Sequence, residues 1–572
     1  MTDIIGLDSL GSDTTKNNKL WERSLGEFLA LAVQNDPDQI FVEITGHRIT
    51  YRKFQEIVLQ AAGMFQSLGV GQGDRVCLFL TNCPEFLYCW FGLSLIGAIT
   101  VPINTAYKRD ETAYILNNAE AIVLVAHRTL LEVAEEAAQL APSIQHLLSV
   151  DSPVGAGGAG AGGASASSAD AHNDNEPGDQ VSDWADFAES MSQAAPIAEI
   201  PAISPLDISM LVYTSGTTGN PKGVQVTHQM YVAAGQGFVH WTQASSDDRF
   251  FTCLPYFHAN AQYYSTMGAM AAGATLVVAD RFSASRFWDQ VREAGATVVN
   301  FIGMMMPVLA KQDESPTDRY NPARLFYGSP AFSPEFLSAF QERFGINIIV
   351  GFGMTETCFG TIERLGQERR PKSSGLPREY PHPAFTNEIR IVDENGGPVS
   401  AGTPGEITLR NPVTMLGYWR NEKQTSLALR DGWLFTGDLG WLDDDGFLYF
   451  VDRKKDVIRR RGENISSQEV EDVIKRHPSV LDCAVLAVPS ELGEDEVKAY
   501  ISPRPGGLIK PEEIVLWCAE HLAYFKVPRY IEVREEFPRT PSLRVRKDIL
   551  RQEREDLIEG CFDLEAAGIR LR

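Results

Sequence analysis

Apolar positions along this chain alternate between two periods. Residues Tyr51–Leu68 carry them at helical spacing, and RVCLFL (75–80) follows as a short unbroken apolar run. A further helical stretch leads to AIVLVA (121–126). Runs of four to eight apolar residues between amphipathic segments read as buried strands, and such alternation predicts a helix-covered parallel sheet. The same alternation resumes from 205 to 450, with LVVAD, TVVNFIG, RLFYGS and INIIVGFG as strands and a turn-rich β segment over 386–451. After Asp452 the pattern changes to short strands (LDCAVLAVP, VKAYISP) and two amphipathic helices (467–476, 511–523). The expected class is α/β. A large N-terminal domain (1–451) of helix-covered parallel sheets carries a β-rich subdomain, and a small mobile α+β C-terminal domain spans 452–572.

One segment breaks the alternation. Residues 151–180 are dominated by Gly, Ala and Ser, which offer too little apolar surface to offset the entropy of ordering. A flexible surface loop is expected there. The uncharged stretch Phe86–Tyr107 is long enough to cross a bilayer. It holds Gly92, Gly97 and Pro102 and lacks flanking basic clusters, so a buried helix running into a buried strand is the expectation.

Charge narrows the function. A net charge of -24 argues against nucleic acid and anionic membrane surfaces as partners, so a phosphate-bearing ligand must find local cations. The eight cysteines show no CxxC pair and no metal-ligand spacing. The N-terminal segment carries acids where a secretory signal would be basic. A cytoplasmic protein with no transmembrane segment is expected.

The densest chemistry lies in MLVYTSGTTGNPKGV (210–224). A strand enters a loop of Thr214, Ser215, Gly216, Thr217, Thr218 and Gly219 and leaves through Lys222. Glycines let backbone amides turn toward an anion, hydroxyls add donors and lysine adds charge. Gly223 stands where the Walker pattern requires Ser or Thr. GFGMTE (351–356) combines an aromatic face with a hydroxyl and a carboxylate. Asp438, in FTGDLG, caps a turn or receives a diol.

These motifs resemble, in order and register, those of the adenylate-forming superfamily: acyl-CoA synthetases, peptide-synthetase adenylation domains and beetle luciferases. The resemblance runs through 73–107, YTSGTTGNPKGV, GFGMTET, GTPGEI, GYW, WLFTGDLG and DRKKDVIRRRGENIS (452–466). Its flavour is closest to carnitine/crotonobetaine-type and fatty-acyl CoA ligases. It implies a carboxylic acid, Mg-ATP or acyl-AMP, and coenzyme A as ligands, with Mg²⁺ on Glu356. It also implies AMP or ATP contacts from the 214–219 loop, Ser329, Pro330, Phe352 (on adenine), Gly353, Met354, Thr355, Asp438 (on the ribose) and Arg453. Acyl contacts fall to His258, Asn260, Gly303, Met304, Gly328 and Gly353. His258 is either a gate or a packed core residue. Arg459, Arg460 and Arg461 meet coenzyme A phosphates or form a solvated face, and Gly462 lets a strand approach the pantetheine. Lys455 matches the hinge about which the C-terminal domain rotates between the two half-reactions.

The chain departs from the family near its end. The family pattern PRTxxGK is read here as PRTPSLR, so Leu543 stands for glycine and Arg544 for the adenylating lysine; a slid register would recruit Lys547. Among Arg544, Glu356, Thr214, Lys222 and Lys455 as expected catalytic groups, the first is thus altered. Three readings follow: a ligase that works mainly on preformed acyl-adenylate, with a partner adenylating ligase supplying it; a complete two-step synthetase; and a silent acyl/AMP-binding protein. The expected acid is apolar and larger than acetate.

Overall fold

The computed structural model describes residues 20–151, 184–214, 220–302, 305–329, 332, 334–453, 457–490, 493–504, 507–538, 545 and 547–571. The 151–180 loop, Lys455 and Arg544 therefore fall, wholly or nearly so, outside the described residues.

Two large sheets form the N-terminal part. In the first, Arg75–Phe79 lies between Ile99–Pro102 and Val123–His127, all parallel. Ile208–Thr214 extends the sheet and turns back antiparallel as Lys222–Thr227. The second sheet runs through Asn347–Met354, Leu325–Ser329, Val298–Ile302, Arg249–Thr252, Thr275–Val278 and Ile40–Ile44 in parallel, with antiparallel strands at both edges. The expected helix at 51–68 is Tyr51–Ser67, capped by the Thr50 hydroxyl. The uncharged stretch divides as expected into the helix Pro84–Leu95 and the strand Ile99–Pro102. Among the described residues no helix is long and apolar enough to cross a membrane.

A separate β layer is made by Glu388–Val392, Gly405–Arg410, Trp433–Leu442 and Leu448–Arg453. Beyond it, Val457–Arg460 and Glu463–Ser466 form a hairpin. A second C-terminal sheet pairs Val480–Pro489 with Asp495–Pro503 and carries the helices Ser467–Lys475 and Pro511–His521 on its side.

One buried ammonium ties the C-terminal elements to the first sheet's layer. Lys526, 1% exposed, lies 2.7 Å from Glu111 on the helix Arg109–Ala119 and 2.7 Å from Glu469 on the helix Ser467–Lys475. Its charge also sits 4.5 Å from the centre of the Tyr107 ring. Burial raises the Glu111 carboxyl well above the usual carboxylate range even with the ammonium beside it. Removing the cation leaves two buried carboxylates facing each other, a loss of about 3–5 kcal/mol. Lys526→Met is expected to release the C-terminal elements from this seat. Small-angle scattering should then show a larger radius of gyration, and an unchanged profile would count against the contact as the anchor.

Candidate active site

A cleft of about 960 Å³ opens where the C-terminal ends of the second sheet's strands meet the β layer and the hairpin. Open parallel sheets present ligand sites at this edge because the strands end there and loops diverge. The lining brings together Thr214, Lys222, His258, Asn260, Gly328, Ser329, Phe352, Gly353, Met354, Thr355, Glu356, Asp438, Arg459 and Gly462, which are far apart in sequence. Ser215, Gly216, Thr217, Thr218, Gly219, Gly303, Met304, Pro330, Leu543 and Arg544 lie outside the described residues.

At one wall, Thr214 and Lys222 face each other across the antiparallel pair that flanks the 215–219 loop. The Lys222 ammonium lies 4.0 Å from the centre of the Tyr418 ring. The Tyr418 hydroxyl donates to Glu356 Oε1 at 2.8 Å. Glu356 is nearly buried and sits at the tight turn between Asn347–Met354 and Thr357–Ile362. Among the described residues no cluster of three metal-ligating side chains exists. A single carboxylate such as Glu356 does fit Mg²⁺, which binds one or two carboxylates and takes its remaining oxygens from phosphate and water.

Opposite, Phe352 turns an aromatic face into the cleft, with the Phe450 ring 6.3 Å away. Asp438 is nearly buried on Trp433–Leu442, and Arg453 is its cross-strand partner. A purine-sized face and a carboxylate thus border one space.

The hairpin closes the cleft. Gly462 sits at its turn with φ +78°, and a Cβ there would lie 2.3 Å from Ile302 Cδ1. Only glycine permits both this backbone and this approach. Next to it, Glu463 Oε1 lies 2.9 Å from His258 Nε2 and accepts from Asn104 Nδ2 at 3.3 Å. A narrow cavity of about 100 Å³ runs beside this contact toward Thr214, between Tyr107, Tyr213, Phe257, Gly462, Phe525 and Lys526. His258 precedes its helix and lines both the cleft and this passage.

One expectation needs correction. Residues 459–461 do not form one cationic surface, because side chains along a strand alternate. Arg459 lines the cleft. Arg460 is buried, lies 2.6 Å from Glu496, and donates to the Phe525 and Val527 carbonyls. Arg461 is exposed at the turn, 3.8 Å from Glu565. Of the apolar run Asn300–Met306, expected to line the acid pocket or to be ordinary core, Met305 and Met306 are packed in the core and Ile302 lines the cleft. Lys547, the slid-register alternative, is 2.6 Å from Glu471 and 2.7 Å from Ser467 Oγ, within the C-terminal elements. Sequence reasoning missed Glu463, Lys526, Tyr418 and Arg378. A charged residue within an apolar stretch, as Lys526 is in LAYFKVP, was the available signal.

The fold and this cleft define an adenylate-forming enzyme. Residues 29–419 match the AMP-binding enzyme family and residues 469–544 match the AMP-binding enzyme C-terminal domain. This chain belongs to that family. It is 35% identical over 507 residues to the crotonobetaine/carnitine–CoA ligase of Escherichia coli O8, covering 87% of this chain and 92% of the relative. The Shigella dysenteriae enzyme of the same name is 36% identical over 508 residues. Among solved structures, the o-succinylbenzoate CoA synthetase of Bacillus subtilis, bound with its product analogue, aligns with a TM-score of 0.76 at 25% identity. That alignment covers 93% of this chain and 99% of the other. An anthranilate CoA ligase in complex with anthranoyl-AMP aligns with a TM-score of 0.66 at 26% identity, over 93% and 97% of the chains.

The His258–Glu463 contact carries a pH dependence. Burial alone would lower the imidazole pKa, but the carboxylate beside it raises it above the ordinary 6.5. A raised histidine contributes fully below 6.5 and its contribution fades as pH rises through the folded value. The hairpin should therefore leave the cleft more readily as pH climbs above that window. Fluorescence transfer between labels on the hairpin and the Arg109–Ala119 helix should fall with rising pH in wild type and stay flat in Glu463→Gln. Equal slopes would remove this pair as the latch.

Proposed function

We propose that this protein is an acyl-CoA ligase that forms a thioester through an acyl-adenylate and works mainly on the thioester-forming half. The observation that carries this reading is the hairpin seated in the cleft, with Gly462 against Ile302 and a narrow passage beside it. A better superposition on the product-analogue complex than on the adenylate complex supports the same assignment.

In this reading the 214–219 loop and Lys222 hold the AMP phosphate, Phe352 stacks on adenine, and Asp438 receives the ribose hydroxyls. Arg453 meets the ribose and phosphate from the neighbouring strand. Pro330 and Ser329 border the adenine, and Gly303, Met304, Asn260 and Gly328 border the acid. When bound, Mg²⁺ on Glu356 supplies charge to the phosphates of ATP. Coenzyme A enters by the narrow passage, with Arg459 and Arg461 placed for its phosphates and His258 at the inner end. Its thiolate sulfur attacks the acyl carbon; the C–S bond forms, the bond to the phosphate oxygen breaks, and AMP leaves with the electron pair. The seven buried cysteines have thiol pKa values raised chiefly by burial, so the nucleophilic sulfur is the ligand's own. The C-terminal unit, 452–572, would rotate about Lys455 for adenylation.

Adenylation brings an anionic carboxylate to an anionic phosphate, and a compact cation must bridge them. Leu543–Arg544 offers a wide planar fork on a bulkier backbone. The relatives' names make crotonobetaine and carnitine candidate acids, beside an apolar acid larger than acetate. The complete two-step reaction keeps standing as a second reading because Arg544 preserves the charge.

Thioester formation from synthetic acyl-AMP is expected to exceed pyrophosphate release from acid and ATP by about 10²–10³, and Leu543→Gly with Arg544→Lys should close the gap. Matching rates in wild type would establish the two-step enzyme. Asp438→Ala should weaken AMP binding by about 1.5–3 kcal/mol; calorimetry giving equal affinities would remove Asp438 from the nucleotide site.

A further inference from the structure

Four cations are buried among the described residues: Lys498, Lys526, Arg460 and Arg378. Three of them sit against carboxylates, Lys498 on Glu532, Lys526 on Glu111 and Glu469, and Arg460 on Glu496. Arg378, 1% exposed, has no carboxylate partner among the described residues. It lies on the floor of the same cleft, just after the edge strand Leu376–Pro377.

Its surroundings are neutral oxygens and ring faces. Nε donates to the Thr361 carbonyl at 3.1 Å, Nη1 to the Cys358 carbonyl and the Tyr264 hydroxyl, and Nη2 to the Tyr327 hydroxyl at 2.6 Å. The guanidinium carbon is 4.8 Å from the Trp241 ring centre and 5.1 Å from that of Tyr264. These contacts use four of the five N–H groups that an arginine carries. Gly351 and Gly353 form the strand beside it; a Cβ on either would stand 3.1 or 3.3 Å from Nη2. Tyr264 spends its own proton on the Cys358 carbonyl at 3.0 Å. The Tyr327 hydroxyl accepts from Nη2 and is also hydrogen-bonded to Tyr264. One guanidinium N–H is thus left to an acceptor in the cleft. The walls above are aromatic and aliphatic: Leu254, Tyr263, Ile302 and Phe332.

We propose that Arg378, held in place by Tyr327, reads the far end of the acid, and that the substrate carries a second carboxylate there beyond an apolar body. This inference rests on the acyl-CoA ligase reading and names its substrate class. A buried cation without an anion is costly, and a hydrogen-bonded anion is what removes the cost. The ligand's distal carboxylate would take the place that Glu496 takes for Arg460. A methyl-ended acid leaves the charge and its remaining N–H unmet, and a trimethylammonium-ended acid such as carnitine meets a like charge. The site therefore differs in sign from what the relatives' names would suggest.

The test is competition among matched acids in the wild-type protein. A graded series of straight-chain α,ω-dicarboxylic mono-adenylates is compared with methyl-ended and ω-trimethylammonium adenylates of equal length, reading kcat/KM for the CoA thioester. At the best length the dicarboxylic series should lead the methyl-ended one by about 10–100-fold, the size of one desolvated charged hydrogen bond. Tyr327→Phe, which keeps the ring, should shrink that ratio mainly through KM, and Arg378→Met should abolish or invert it. Wild-type preference for the methyl-ended or trimethylammonium series, or a ratio untouched by Tyr327→Phe, overturns the assignment and leaves the ligase reading intact. Thioester from none of the adenylates would instead overturn the ligase reading and this inference with it.

Discussion

The shape of the cleft depends on one buried charge. Lys526 spans the layer that carries Glu111 and the helix that carries Glu469. With that ammonium seated, the hairpin is brought across the strand ends, Gly462 meets Ile302, and Glu463 reaches His258. Hydrophobic contact alone does not fix such an orientation, because apolar faces slide at small cost. An ion pair out of water fixes it, since any displacement uncovers an unpaired charge.

The acidic chain resolves its conflict with anionic ligands locally. Among the described residues five cations line the cleft: Lys222, Lys372, Arg378, Arg430 and Arg459. Within the basic run, strand alternation turns Arg460 inward onto Glu496, and Arg461 stays exposed at the turn. The proposed division of labour follows from this placement. In that proposal, phosphate, coenzyme A and the distal end of the acid would each meet a different cation.

The alternation of apolar runs made both large sheets and the C-terminal unit legible, because buried parallel strands are short, continuous and separated by amphipathic helices. Thr214, Lys222, Phe352, Glu356 and Asp438 were picked out for a different reason: each lies in a short Gly- and Thr-rich motif, and the fold brings all five to one cleft. Arg378 and Lys526 were not. Nothing in LPREYP marks Arg378 as buried, and the apolar neighbours of Lys526 in LAYFKVP hint at burial without naming its partners, since those arrive from elsewhere in the chain.

The amino-acid sequence by itself thus determined the α/β class, the order of the elements, the family and the positions of the nucleotide motifs. These depend on local periodicity and on contiguous loop chemistry. Tertiary structure alone decided which of Arg459, Arg460 and Arg461 faces the cleft, which cation lacks an anion, and that Glu463 holds His258. Each of those outcomes is a pairing across 36 to 205 residues of chain, and the energy of a buried charge is set by the neighbour it meets.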